Sequence, residues 1–385
     1  MNNLWFSLAL LAGTMLTNTT TAQEAEGTEW IVSTSPGLDA LLLIGMAAGN
    51  ELQEERYADE ISWLMEQIDG SGKEALKQLD KHIRQDSGAL TGPALCLFFS
   101  GYPTASIDDL LTSARQMEAR IMSPLKESPF WGGEDSRELI ERTVPPVKVI
   151  LEQLQQAGYA EWYQDQFGDQ LQQAVEKFDD ALSGYDIIPI QQHLLGQPLD
   201  PHLRVDILKF SWPHGIRVLG QRFISHPEYD IEITLHVARH ELFHPPFDFE
   251  DQHYWQALAE LEKSELIQSI LEHSNPAYGY NSFEALVNEG SAQALDHLVA
   301  EKMDMAHDPG ERWRESDGGM HLLAAALYHA MKEDEYHLRG GDYGKWLLSA
   351  VERGLINGDA VRERAIEVVG REAVESWISR KAESD

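Results

Sequence analysis

The sequence predicts an α+β fold, predominantly helical, in which a small antiparallel sheet precedes a helix bearing two histidines. Apolar residues recur at helical spacing over most of the chain, and the period shortens between Tyr185 and Ser225. A chain of 385 residues, 43% of them hydrophobic, is long enough to bury a sizeable core.

The opening segment reads as a leader, not as part of the fold. "MNNLWFSLALLAGTMLTNTTTA" carries no charged side chain, and its apolar run from Leu4 to Leu16 gives way to small polar residues ending at Ala22. That is the pattern of a signal peptide spanning 1–22, although no Lys or Arg stands near its start; an uncleaved membrane anchor is the alternative. No later run approaches the roughly 20 apolar residues a spanning helix needs, so the expectation is an exported chain, periplasmic or extracellular, without stable membrane insertion once the leader is removed. The formal charge of −34 falls wholly on the mature part. Such a surface repels nucleic acid and anionic lipid, which argues against phosphate-backbone binding. Cys96 is the only cysteine, so any cross-link must come from packing or from a metal.

In the N-terminal region, 23–184, amphipathic periodicity predicts helices over 37–48, 54–68, 107–122, 136–156 (interrupted at Pro145-Pro146) and 160–182. The C-terminal region, 185–385, continues the same globular unit. It begins with "DIIPI", "LRVDILKF" and "GIRVLGQRFIS", which alternate or cluster β-branched residues, and Trp212-Pro213-His214-Gly215 supplies a turn between the last two. These are read as the antiparallel sheet. Helices return over 231–244, 253–273, 282–303, 318–333 and 342–354, with two short ones from 359 to the end. No internal repeat is visible.

The chemistry lies in "ARHELFHPPF". On a helix, His240 and His244 lie one above the other and direct their imidazoles at one point, while Glu241 sits about 100° round the axis. Two metal ligands and a neighbouring carboxylate that takes a proton from water are the physical content of an HExxH motif. His236, four residues upstream, is expected to support the site or face solvent, since three ligands in line cannot surround a tetrahedral ion. A third ligand must come from elsewhere. "NSFEALVNEGSAQALDH" offers Glu289 in mid-helix after a Ser282 cap, with Gly290, Ser291 and Ala292 small enough for close approach to the first helix. Asp296, seven residues on, shares that face and is expected to orient a ligating imidazole from behind.

HELFH followed 45 residues after His244 by the glutamate of "VNEGSA" resembles the zincin metallopeptidases, and within them the gluzincins. The resemblance covers roughly 231–303. It implies a zincin-like core with His240, His244 and Glu289 as ligands of a Zn²⁺ ion and Glu241 as general base. It further implies a Tyr or His that hydrogen-bonds the oxyanion: Tyr328 and His321 on one helical face are favoured, and Tyr278 and Tyr280 are further candidates. Glu250, at the offset where metzincins place their third ligand, has Phe247 where a glycine belongs, and Glu284 fits the face of Glu289 poorly. The expected activity is zinc-dependent hydrolysis of a peptide or protein substrate. A non-peptidase zinc hydrolase, a non-catalytic zinc-binding helical protein and a helical binding protein without metal are the alternatives. "GIRVLGQRFIS" is either sheet core or an edge that pairs with an extended peptide. The oligomeric state is left open.

Overall fold

The computed structural model describes residues 27–49, 55–213, 215–247, 252–275 and 282–380. The leader, Glu250, Tyr278 and Tyr280 lie outside them. Among the described residues the chain is mainly helical with one four-stranded sheet, in the order β1-β2-β4-β3: β1 is Glu29–Ser33, β2 His202–Ile207, β3 Ile216–Arg217 and β4 Arg222–Ser225. The sheet is mixed, which corrects the antiparallel expectation. The only antiparallel pair among the described residues is β3 with β4, a hairpin inside "GIRVLGQRFIS" that turns through Gly220 at φ 76°, not a pairing across the expected turn at 212–215. It is β4, however, that takes the place beside β2, in parallel, with Val205 opposite Phe223. β1 adds in parallel on the other side, Trp30 opposite Leu203. Every residue of β4 is buried, and the one cation among them, Arg222, is met by the Asp206 carboxylate and the Thr104 hydroxyl.

"DIIPI" is not a strand. Its isoleucines open a helix, Ile188–Leu195, with Pro189 in the first turn, where a missing N–H costs nothing. In the N-terminal region α1, Pro36–Ala47, is apolar around most of its surface and correspondingly buried, with Ser35 Oγ accepting from Leu38 N–H. It packs against a helix the periodicity did not reveal, Thr91–Phe99, so closely that a Cβ on Gly45 would fall 2.4 Å from the Gly92 nitrogen. α2, Glu134–Gln156, runs unbroken through Pro145 and Pro146. The two prolines remove ladder bonds, but Pro146, Val147, Ile150, Leu151 and Leu154 are all buried, and that packing holds the helix together. α3 is Tyr159–Leu182.

α4, Ile231–Glu241, stops three residues short of the expected end. Phe243 and His244 continue as a tighter turn, their N–H groups bonding the carbonyls of His240 (3.0 Å) and Glu241 (3.3 Å). α5, Phe283–Lys302, begins as expected with Ser282 capping Ala285 N–H, and α6 is Leu322–Glu333. The helix expected over 253–273 is two, Gln252–Glu262 and Glu265–His273.

Two large hydrophobic clusters form the core. The first joins α1, α2 and α3 with Val205, Ile207, Ile224 and Leu235, and the second gathers Phe243, Leu295, Leu327 and Trp346. A smaller group containing Phe223, Ala238 and Leu242 lies between. Part of the sheet and the start of α4 therefore pack with the N-terminal helices, and a seam runs between the first cluster and the second. The chain crosses it through α4 and the turn after it. Among the described residues no helix is long and apolar enough to cross a membrane.

Candidate metal centre

α4 and α5 pack antiparallel, so the end of one meets the start of the other. Strand β3 lies against α4, and a Cβ on Gly215, just before it, would fall 2.4 Å from Val237 Cγ2. The residue there has to be glycine for the chain to pass.

At the seam, His240, His244 and Glu289 converge. The two imidazole Nε2 atoms are 2.9 Å apart, and each is 3.5 Å from Glu289 Oε2. A tetrahedral site with bonds of about 2.0–2.1 Å has ligand atoms about 3.3 Å apart, so the triangle has the size of one tetrahedral face. Nitrogen, nitrogen and carboxylate oxygen are also a donor set suited to a divalent ion. The set is shielded: the side chains of His240, His244 and Glu289 are 12%, 16% and 5% exposed.

The electrostatics fit the same purpose. Burial disfavours charge on His240, yet the adjoining Glu289 carboxylate outweighs it and raises the imidazole to about 9. Burial and the positive charge of His240 push His244 down to about 4. Glu289, despite its burial, is held by His240 and His244 below the usual carboxylate range. Three Lewis bases thus share one proton, which a cation can replace.

Neighbouring residues hold the ligands in place. Gln293 Nε2 donates to Glu289 Oε1 at 2.8 Å, and Gln293 Oε1 in turn accepts from Arg312 Nη2 at 2.7 Å. Asn288 lies against His244 and favours its charged form. Arg217, from β3, donates through Nη1 to the carbonyls of Glu241 (2.9 Å) and His244 (2.8 Å), fixing the turn between the ligands. Gln293 was legible in principle, being one turn beyond Glu289. Arg217 had no local signal.

Glu241 stands outside the ligand triangle, half-buried beside it; burial lifts its carboxyl above the ordinary glutamate range, against the pull of His240 and Arg217. The other expected residues are placed differently. Asp296 does not back a ligating imidazole. Two turns along α5, about 10 Å from Glu289, it accepts from Arg239 Nε (3.0 Å) and Arg312 Nη2 (2.7 Å), and His236 Nδ1 lies 3.2 Å away. The Nδ1 atoms of His240 and His244 have no hydrogen-bond partner among the described residues. Tyr328 donates to Glu301 at 2.5 Å, about 18 Å along α5 from Glu289, and so cannot serve an oxyanion at the triangle. His321 is buried with Nε2 2.8 Å from Asp317, and it too stands outside the cluster. Glu284 is exposed. The small residues of α5 face elsewhere than expected: Gly290 admits Leu323 of α6, and Ser291 Oγ accepts from Tyr343.

A cavity of about 670 Å³ opens beside the triangle. His244, Pro245 and Asn288 line one side, and Lys126 with Ser128–Gly133 lines the other. No family model, no curated protein and no solved structure matches this chain.

Proposed function

We propose that the chain is an exported zinc-dependent peptidase of the zincin type, gluzincin-like, hydrolysing peptide bonds in a peptide or protein substrate. The convergence of His240, His244 and Glu289 on one point, with Glu241 directly after the first ligand, carries this reading. When bound, zinc supplies Lewis acidity towards a carbonyl and acidifies water. Glu241 is the general base: it takes a proton from the attacking water as that water adds to the scissile carbonyl, then returns the proton to the leaving amine. Burial raises its carboxyl above the ordinary glutamate range, which makes the carboxylate a stronger base. Arg217 keeps the Glu241 backbone registered to His244 through both carbonyls. The hydroxyl of Tyr328 is already committed to Glu301, so oxyanion stabilisation falls to another group.

Purified protein is expected to carry about one zinc per chain, lost in His240→Ala and kept in Glu241→Gln. Wild-type protein cleaves a mixed peptide library, a chelator abolishes the cleavage, and Glu241→Gln lowers the rate about 10²–10⁴-fold. Undiminished cleavage by Glu241→Gln would remove the base from this mechanism. A second reading, an ion that only ties the two cores together, is favoured by the position of the triangle at the seam between them. It predicts retained zinc with no chelator-sensitive cleavage.

A further inference from the structure

The cavity beside the metal triangle is walled by a segment of the N-terminal region, "KESPFWGG", far from the ligands in sequence. Its chemistry is specific. Phe130 and Trp131 are both half-buried and both line the cavity. Lys126, the one permanent cation among the described lining residues, is already engaged: its ammonium lies 2.8 Å from Glu118 and 5.7 Å from the centre of the Trp131 ring. Among the described residues no carboxylate lines the cavity. The wall therefore offers neither a free positive charge for an acidic side chain nor a negative one for a basic side chain. It offers aromatic faces. Beyond them Gly133, at φ 71°, leaves open space where a side chain would stand.

The wall is also tied to the metal centre. The Arg217 guanidinium that grips the Glu241 and His244 carbonyls lies 5.8 Å from the centre of the Phe130 ring. One side chain thus couples the aromatic face to the turn between the ligands. A volume of about 670 Å³ lies within the range of sites that take small organic ligands, and one member of the triangle, His244, lines it.

We infer that Phe130 and Trp131 form the side-chain subsite of this centre, selecting substrates with an aromatic or long aliphatic residue next to the scissile bond. This rests on the peptidase reading and adds the substrate class to it. The zinc-loaded protein is incubated with a mixed peptide library and the cut sites are read by mass spectrometry. Phe, Tyr, Leu and Met are expected at one position flanking the cut at least about 10-fold above Gly. In the Phe130→Ala/Trp131→Ala double variant that enrichment falls below about 3-fold, while zinc content is unchanged; Trp131→Phe retains it.

A binding measurement covers the case of no cleavage. N-acetyl-phenylalanine hydroxamate should bind the zinc-loaded wild-type protein at least about 10-fold more tightly than its glycine analogue, and the double variant should lose the difference. Chelator-sensitive cleavage without side-chain preference, or with a preference the double variant keeps, overturns the subsite and leaves the peptidase reading standing. Selective hydroxamate binding without any cleavage does the reverse. A chain that takes up no zinc overturns both.

Discussion

At one end of the α4–α5 contact a buried carboxylate, Asp296, meets Arg239, Arg312 and His236; at the other, Glu289 meets His240 and His244. Both are acids on α5 facing nitrogen groups of α4 and the turn after it, joined at Asp296 by Arg312 from the helix Pro309–Glu315. They differ in where the counter-charge resides. Around Asp296 it belongs to two guanidinium groups that never deprotonate, so that end is electrically complete as folded. Around Glu289 it is a single proton shared with the imidazoles, which can be exchanged for another cation. The fixed end is suited to architecture and the exchangeable end to function.

The comparison can be broken most severely at Asp296. Asp296→Ala leaves the buried Arg239 and the half-buried Arg312 without their acid and is expected to cost about 3–5 kcal/mol in denaturant unfolding; a loss below about 1 kcal/mol would count against an architectural role. Next is pH. Burial and then Arg312 push His297, beside Asp296 on α5, down to about 4. With a folded value below the unfolded one, the unfolded chain binds the extra proton first. The contribution of His297 is therefore present above about pH 6.5 and lost as pH falls towards 4, at most about 3 kcal/mol. Unfolding midpoints from pH 4 to 8, in chelator, should slope less in His297→Gln than in wild type; equal slopes refute the assignment.

The exchangeable end answers to metal instead. Zinc at a hundredfold excess over its dissociation constant should stabilise the fold by about 2.7 kcal/mol. Thermal scans of His244→Ala should show no such gain. The smallest effect expected is at Gln293, which orients Glu289: Gln293→Ala weakens zinc binding about 10–100-fold while changing metal-free stability by only about 1 kcal/mol. A competition titration against a zinc-sensitive dye measures the first, and urea unfolding the second.

What the sequence revealed of this arrangement followed from local spacing. His240, Glu241 and His244 share one helical end, and α5 with its Ser282 cap stands where its periodicity put it. Whatever depended on a distant partner was not legible. β1 is five residues whose neighbour in the sheet begins at His202, and nothing local to "EWIVS" announces that pairing. Ile187, Ile188 and Ile190 have the β-branched shape of a strand, but burial in a helix suits them equally, and tertiary packing decided. Asp296 and Gly290 sit on the helix expected for them, yet their partners, Arg312 and Leu323, come from segments that helical spacing cannot bring into view. The aromatic wall at 128–133 reaches His244 only through the fold.

The passage of the chain, through α4 and the turn after it, from one hydrophobic cluster to the other has a mechanical corollary. Leu235 is anchored on one side and Phe243 on the other, so a small slip of the halves past each other displaces the imidazoles relative to Glu289. An ion held by the three would then act as a gauge of alignment between the halves. Core substitutions remote from it, in α1 or around Trp346, should register as altered zinc release before they register as lost secondary structure.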